Sequence, residues 1–406
     1  MRAVLLKIFI LILFLLNPIH TISAQAGIAK DTLCISILTC SPGQEVYELY
    51  GHTALRVKNI SRDEDWVFNY GVFSFNKPNF VWNFILGKTD YELGVVPFTY
   101  FIESYTRESR SVNELVLNLS ENEKISLYKS LLVDYSHKRG EYRYNFLYNN
   151  CTTRALEQVE NHINGHISYL TDSIKTNLTY RGIIHEFLGN REWLKFGQDL
   201  ILGRSADTSI GIKQQMFSPI YAQKYLEQAT IIDTAGSIRP LVIAKDDIMS
   251  QKNIKNDTID DFIISPILVL FILLLFVFGL SAYELKSGRF FALFDLFLML
   301  IHGFIGIFIS ILFFLSEQPT VNSNFLVILY NPMLLVAVPI LLLRRKIKIW
   351  STCYACLVLV TLALFLLTFL EGQCYPIEIY IWILILLMRV VVCLLHSHQS
   401  KKLHKV

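Results

Sequence analysis

One cysteine of the seven in this 406-residue chain stands in surroundings that suit chemistry. Cys151 follows two asparagines in the stretch YNFLYNNCTTRALEQVE, just before a run in which Ala155, Leu156, Val159 and Ile163 share one helical face. With Asn149 or Asn150 as the N-cap, the thiol falls in the first turn of that helix. Unsatisfied backbone N–H groups and the positive end of the macrodipole favour the thiolate there. The same N–H groups can hold an oxyanion, so these residues fit acyl transfer by a cysteine nucleophile. The alternative for this stretch alone is a buried structural cysteine. A nucleophile also needs a base. His137 sits in a charged helix end, His162 and His166 flank a polar turn, and His185 lies in a predicted helix. His52 differs, because it follows Gly51 at the start of the strand-like run HTALRVKNI, where a side chain projects from a strand end into a cleft. Asn69, in the neighbouring run WVFNYGVF, is an uncharged group able to orient an imidazole. Tyr50, Asn149, Asn150 and Arg154 are further candidates for oxyanion and substrate contacts.

The elements that must position these residues are legible around them. TLCISILTC predicts a strand ending at the turn Ser41-Pro42-Gly43. Cys34 and Cys40, six residues apart on an extended strand, are separated by ~20 Å and do not pair with each other. The two β-rich runs around SRDED predict a hairpin. Ser120 and Glu123 form a capping box ahead of Ile125, Leu127, Tyr128, Leu131 and Leu132, and Ser218-Pro219 opens another helix. Strands and helices are segregated, which predicts an α+β domain.

The rest of the chain reports a location. Residues 1–26 combine two early basic residues, an apolar core and Ala24-Gln25-Ala26, the pattern of a signal peptide, with an uncleaved anchor as the alternative. Five apolar spans follow at about 262–283, 290–315, 325–343, 349–370 and 377–396, each long enough for a hydrocarbon layer of ~30 Å. The loops ELKSGR, RRKIK and HSHQSKKLHKV carry Lys or Arg, whereas SEQPTVNSN and EGQCYP carry none. The positive-inside rule then puts the segment before the first span outside the cytoplasm, as the signal peptide requires. The expected division is 1–26 signal peptide, 27–250 exported catalytic domain, 251–261 linker and 262–400 a five-helix transmembrane domain. The net charge of +3 is concentrated in the membrane-flanking loops and gives no sign of a nucleic-acid partner. Cys353 and Cys356 form a C-x-x-C without a second pair and read as packing residues; no metal or cofactor is implied. Asp295 and His302 lie on one face of the second span, as an interhelical hydrogen-bonding pair or a functional one. Arg389 is expected to snorkel towards the cytoplasmic surface. The run FSFNKPNFVWNFILG (73–87) is aromatic enough for an acyl-binding wall, a membrane contact or ordinary core.

The order His, polar residue, Cys is the reverse of papain and fits a circularly permuted papain-like fold. LTCSPGQEVYELYGHTALRV, FNYGVFSFNKPNF and YRYNFLYNNCTTRALEQVE resemble the Lnb family of bacterial lipoprotein N-acyltransferases, and NSNFLVILYNPMLL (322–335) resembles that family's membrane-domain signature. The resemblance implies a permuted NlpC-type periplasmic domain on a multi-pass inner-membrane protein. It further implies Cys151 and His52 as the catalytic pair with Asn69 third, a phospholipid acyl donor, a diacylglyceryl lipoprotein acceptor and no cofactor. One departure is visible: SEQPTVNSN stands where the family leads one to expect a histidine near the outer end of the second membrane helix. The rival readings are a cell-wall cysteine peptidase or a phospholipase of the same fold, and a non-catalytic membrane scaffold.

Overall fold

The computed structural model describes residues 32–74, 76–136, 141–169, 177–250, 264–336 and 347–403. The signal segment, the linker and His137 lie outside them, as does the side chain of Cys353.

Strand β1 (Leu33–Cys40) pairs antiparallel with β2 (His52–Asn59), and β2 with β3 (Glu64–Val72), so the expected hairpin is present. A short helix α1 (Phe80–Ile85) leads to β4 (Asp90–Pro97), α2 (Phe98–Arg107) and β5 (Val112–Leu117). Helix α3 (Glu121–Ser136) starts at the anticipated capping box. The Ser120 N–H donates to Glu123 Oε2 at 2.6 Å, and the Glu123 N–H reaches back to Ser120 Oγ at 3.4 Å. Then come β6 (Tyr142–Arg143), α4 (Cys151–Asn161), β7 (His166–Ser168), α5 (Tyr180–Leu188), α6 (Glu192–Ile201), α7 (Ile212–Gln215) and α8 (Pro219–Leu226). Strands β8 (Thr230–Ile232), β9 (Ile238–Pro240) and β10 (Val242–Met249) end the domain. Seven of these strands make one sheet in the order β10-β5-β1-β2-β3-β4-β6. Side chains alternate across it. Ile35, Ile37, Leu55, Val57, Phe68 and Leu115 face α3, α4 and α8, while Leu38, Ala54, Val67 and Val112 face Phe101 of α2. The domain is therefore α+β, with its central strands buried on both sides.

Helices α9 (Pro266–Ser287) and α10 (Ala292–Leu315), with Tyr354–Glu371 and Ile377–His396, are the four long enough and apolar enough to cross a membrane among the described residues. The last two lie in α12 (Ile347–Leu367) with its 3₁₀ extension and in α13 (Ile377–Leu403). The expected third span is different. Its first half is a single turn of helix, α11 (Leu326–Leu329), then a break at Tyr330-Asn331 and a 3₁₀ turn (Pro332–Val336). Pro332 has no N–H to continue the helix and disfavours helical backbone at Asn331, whose side chain instead accepts the Met333 N–H at 2.9 Å. Residues 337–346 of that span are outside the described ones.

Arg389 does not snorkel. It is fully buried, donating to Asp295 at 2.7 and 2.8 Å, to Glu284 at 2.5 Å and to Ser281 at 3.2 Å, which ties together α9, α10 and α13. Two carboxylates on neighbouring helices make burial cheaper for the guanidinium than stretching to the surface. His302 is an interhelical linker. Its Nδ1 accepts from the Trp382 indole at 3.0 Å, so its Nε2 carries the proton and donates to the Leu329 carbonyl at 3.0 Å.

The α+β domain rests on the two membrane-domain loops that lack Lys and Arg. At one foothold the Glu317 N–H donates to the Leu86 carbonyl (2.8 Å), Ser316 Oγ to Ile85 (2.7 Å) and Gln318 Nε2 to Phe84 (2.5 Å). At the other, Asn324 Nδ2 donates to the Leu200 carbonyl (2.8 Å), Ser205 and Ser323 share a hydrogen bond (2.7 Å), and the Cys374 N–H donates to Asp207 (3.0 Å). Gly87 and Gly203 permit this approach, because a Cβ there would lie 2.6 Å from the Gln318 nitrogen and 2.3 Å from the Thr320 carbonyl oxygen.

Candidate active site

The sheet register brings His52 and Asn69 to one face. Leu55 pairs with Phe68, so by alternation His52 and Ala54 share a side of the hairpin with Asn69 and Gly71. The imidazole Nε2 lies 3.3 Å from Asn69 Oδ1, an acceptor that suits the tautomer with its proton on Nε2. Asn69 is held in turn by a 3.4 Å bond from Nδ2 to the Val67 carbonyl. Gly51, at φ +80°, sets the strand entrance; a Cβ there would lie 2.6 Å from the Cys40 carbonyl.

Cys151 arrives from the other side of the sheet as the first residue of α4. Asn150 is the cap. Its Oδ1 accepts the N–H groups of Thr152 (2.9 Å) and Thr153 (3.0 Å), and its Nδ2 donates to the carbonyls of Phe146 (2.8 Å) and Phe217 (2.9 Å). Thr153 Oγ1 accepts the Asn150 N–H at 2.8 Å, closing the box. Thr53 and Thr152, both buried, share a 3.1 Å hydrogen bond that locks β2 to α4. Room for the thiol beside the sheet comes from Gly71, which sits at φ +98° where β3 bulges against β4. A Cβ at 71 would be 3.5 Å from Cys151 Cβ and 3.8 Å from the Tyr142 hydroxyl.

The electrostatics mark one thiol out. Burial works against a Cys151 thiolate. The His52 charge, a hydrogen bond from His52, the Thr53 backbone N–H and the Thr152 hydroxyl outweigh it and bring the thiol down to about 7. His52 moves the opposite way: burial lowers it, but Cys151 and Asn69 raise it above its ordinary value. The two shifts run in the directions that favour a thiolate–imidazolium pair. Cys40, directly across from His52 in the sheet, is pushed up to about 12 by burial and is inert by comparison.

Of the remaining candidates, Asn150 spends both ends of its amide on the cap. Asn149 Nδ2 is bound to the Arg143 carbonyl at 2.8 Å, and the Tyr50 hydroxyl accepts from Gln198 Nε2 at 2.8 Å. Arg154 lies over the Tyr142 ring at 4.8 Å and pairs with Glu157 at 3.1 Å. His162, His166 and His185 are elsewhere: His162 bonds the Gln158 carbonyl, His166 is exposed and His185 bonds Asp199. Sequence reasoning missed Thr53, Thr152, Gly71 and Tyr142. No local signal marks them, since each matters only through the crossing of α4 and the β2–β3 hairpin. The Tyr142 hydroxyl is buried without a hydrogen-bond partner among the described residues, and burial keeps it protonated. On the other side of His52 lies a cavity of about 360 Å³ lined by Asn69, Val72, Val96, Tyr100, Phe101 and Tyr105.

The cap is the part of this site that stability can report. Asn150→Ala is expected to cost about 2 kcal/mol or slightly more, because it removes the cap and two hydrogen bonds to buried carbonyls. Thermal unfolding in detergent, compared with Asn149→Ala as the mild control, checks it.

Two family models match the chain. The Lnb N-terminal periplasmic domain matches residues 22–185, and the Lnb transmembrane domain matches residues 257–401. No curated protein and no solved structure matches it. The first match contains the whole His52–Asn69–Cys151 constellation, and the second contains the four apolar helices on which that domain stands. This chain is thus a multi-pass membrane protein with a periplasmic domain and belongs to the Lnb family, whose role is lipoprotein maturation.

Proposed function

We propose that this protein transfers a fatty acyl chain from a phospholipid to the α-amine of a lipoprotein's diacylglyceryl-modified N-terminal cysteine, through a thioester on Cys151. The observation that carries this reading is the placement of Cys151 in the first turn of α4 against the strand end that bears His52 and its Asn69 partner, in a domain hydrogen-bonded to the outer ends of membrane helices.

In the first step the Cys151 sulfur attacks the ester carbonyl. The carbonyl oxygen becomes an oxyanion next to the Cys151 N–H, which the helix leaves unpaired, and the Tyr142 hydroxyl. The tetrahedral intermediate collapses with cleavage of the C–O bond. His52 gives its proton to the departing lysophospholipid oxygen. In the second step the amine attacks the thioester carbonyl, His52 takes the amine proton, and the C–S bond breaks to return the thiolate. Asn69 holds the imidazole so that one nitrogen faces the sulfur throughout. A thioester suits an amine acceptor because it is more reactive than an oxygen ester towards nitrogen. Both substrates are confined to the outer leaflet, and a catalytic domain seated on membrane helices meets them at high effective concentration.

Intact mass of the purified protein after incubation with phospholipid tests this. The expected result is a hydroxylamine-sensitive fatty-acyl adduct on Cys151, discharged by a diacylglyceryl peptide with a free N-terminus but not by the same peptide acetylated. Discharge by water at the same rate would instead establish a phospholipase. No adduct, with cleavage of peptidoglycan fragments, would establish a peptidase.

A further inference from the structure

The aromatic segment between β3 and β4 has a use that the reaction chemistry does not claim. Helix α1 is too short to be stable by its own hydrogen bonds, and it presents Val81, Trp82 and Phe84 to the outside, 67, 48 and 42 % exposed. Soluble domains avoid grouping large apolar side chains in this way. The height of this helix is set by the membrane domain. The carbonyls of Phe84, Ile85 and Leu86 accept from Gln318, Ser316 and Glu317, and α10 ends at Leu315. Phe314 and Leu315, in the last turn of α10, are exposed as lipid-facing residues are. So α1 begins where the hydrocarbon ends, which is the level at which tryptophan is enriched in membrane proteins.

We propose that the exposed face of α1, formed by Val81, Trp82 and Phe84, rests in the lipid of the outer leaflet. On the acyl-transfer reading this contact has a purpose. Behind the exposed face the rings form a continuous series. Phe84 stacks on Phe80 (6.3 Å between centroids), Phe80 on Phe73 (5.6 Å), Phe73 on Tyr91 (5.0 Å) and Tyr91 on Tyr144 (4.2 Å). Phe73 lies two residues beyond Gly71, which abuts Cys151. A recess of about 490 Å³, lined by Lys77, Asn79, Phe80, Val81, Trp82 and Ile85, opens on the same helix. These rings are core packing, with Phe80 and Tyr91 buried, and they form the path that joins the lipid-facing helix to the surroundings of the thiol.

The test uses the full chain in phosphatidylcholine vesicles, with and without brominated acyl chains. Bromine quenches tryptophan at contact range, and the emission difference between wild type and Trp82→Phe isolates Trp82 among the five tryptophans. The expected result is that this difference is present in plain vesicles and lost in brominated ones. Trp82→Asp is expected to lower the ratio of Cys151 acylation by vesicle phospholipid to acylation by a water-soluble short-chain ester about tenfold, the effect of withdrawing one large side chain from an apolar phase. A Trp82 signal that bromine leaves intact overturns the lipid contact and assigns the face to a protein partner. An unchanged acylation ratio overturns the path. A wild type that accepts acyl groups from neither source breaks the acyl-transfer reading, and the bromine result still decides the lipid contact.

Discussion

Cys151→Ala is expected to lose lipoprotein acylation by roughly 10³-fold or more and to form no acyl adduct, while the protein keeps its fold. The size follows from the role: without the sulfur no thioester forms, and the oxyanion donors have no intermediate to stabilise. The fold survives because alanine keeps the Cβ, and Cys151 is one partly buried residue packed against the edge of a large core. The cap that organises this helix turn belongs to Asn150, and the anchoring of α4 to β2 belongs to Thr152. Assay of the variant with membranes and a diacylglyceryl peptide, beside its thermal unfolding, checks both halves. Normal acylation by Cys151→Ala would sink the thioester mechanism and leave the constellation a structural one.

His52→Ala is expected to slow acyl transfer by about 10²–10⁴-fold, the range for loss of a general acid–base group, and to change its pH dependence in a direction the structure dictates. In the wild type, burial raises the Cys151 thiol while His52 and the two threonines bring it down to about 7. Alkylation of Cys151 by iodoacetamide should therefore rise as pH increases through about 7 and then level off. Removing the imidazole deletes the charge and one hydrogen bond, and burial then dominates. The thiol moves up, and at pH 7 its thiolate fraction should fall from about half to a few per cent or less, each unit upward costing tenfold. The alkylation profile shifts to higher pH accordingly. Cys40 serves as the internal reference, since burial holds it at about 12 and it should stay unmodified in both proteins. A wild-type profile rising only above pH 8.5, the free-thiol range, would mean that no ion pair forms.

Local rules carried much of this protein. Apolar length and the Lys/Arg asymmetry of the loops are one-dimensional quantities, so the membrane domain and the outward side of the preceding domain were legible before any folding. The capping box at Ser120, an asparagine cap at 149 or 150 and the hairpin around SRDED are equally local, because each depends on hydrogen bonds between residues a few positions apart. So was the placement of Cys151 in a helix's first turn and of His52 at a strand end. The resemblance to Lnb proteins rested on those same motifs.

What needed tertiary structure is everything that depends on two distant segments crossing. His52 and Cys151 meet because Gly71 yields space at a bulge and because Thr53 and Thr152 pin a helix to a strand 99 positions away. Asn69 reaches the imidazole through a pairing register that alternation of side chains permits but does not specify. Tyr142 belongs to the site only because β6 lies at the end of the sheet beside that helix. Arg389 defied the expectation of snorkelling because two carboxylates came to it from α9 and α10, and burial among partners replaces solvation by water. The third span broke at Tyr330-Asn331-Pro332 where hydropathy alone reads a continuous helix, because hydropathy counts apolar side chains and not missing N–H groups. Sequence by itself determined the compartments, the local elements and which residue types were worth suspecting, since these are set by nearest neighbours along the chain. Only the fold decided which of those residues touch, because contact between remote positions is a property of packing.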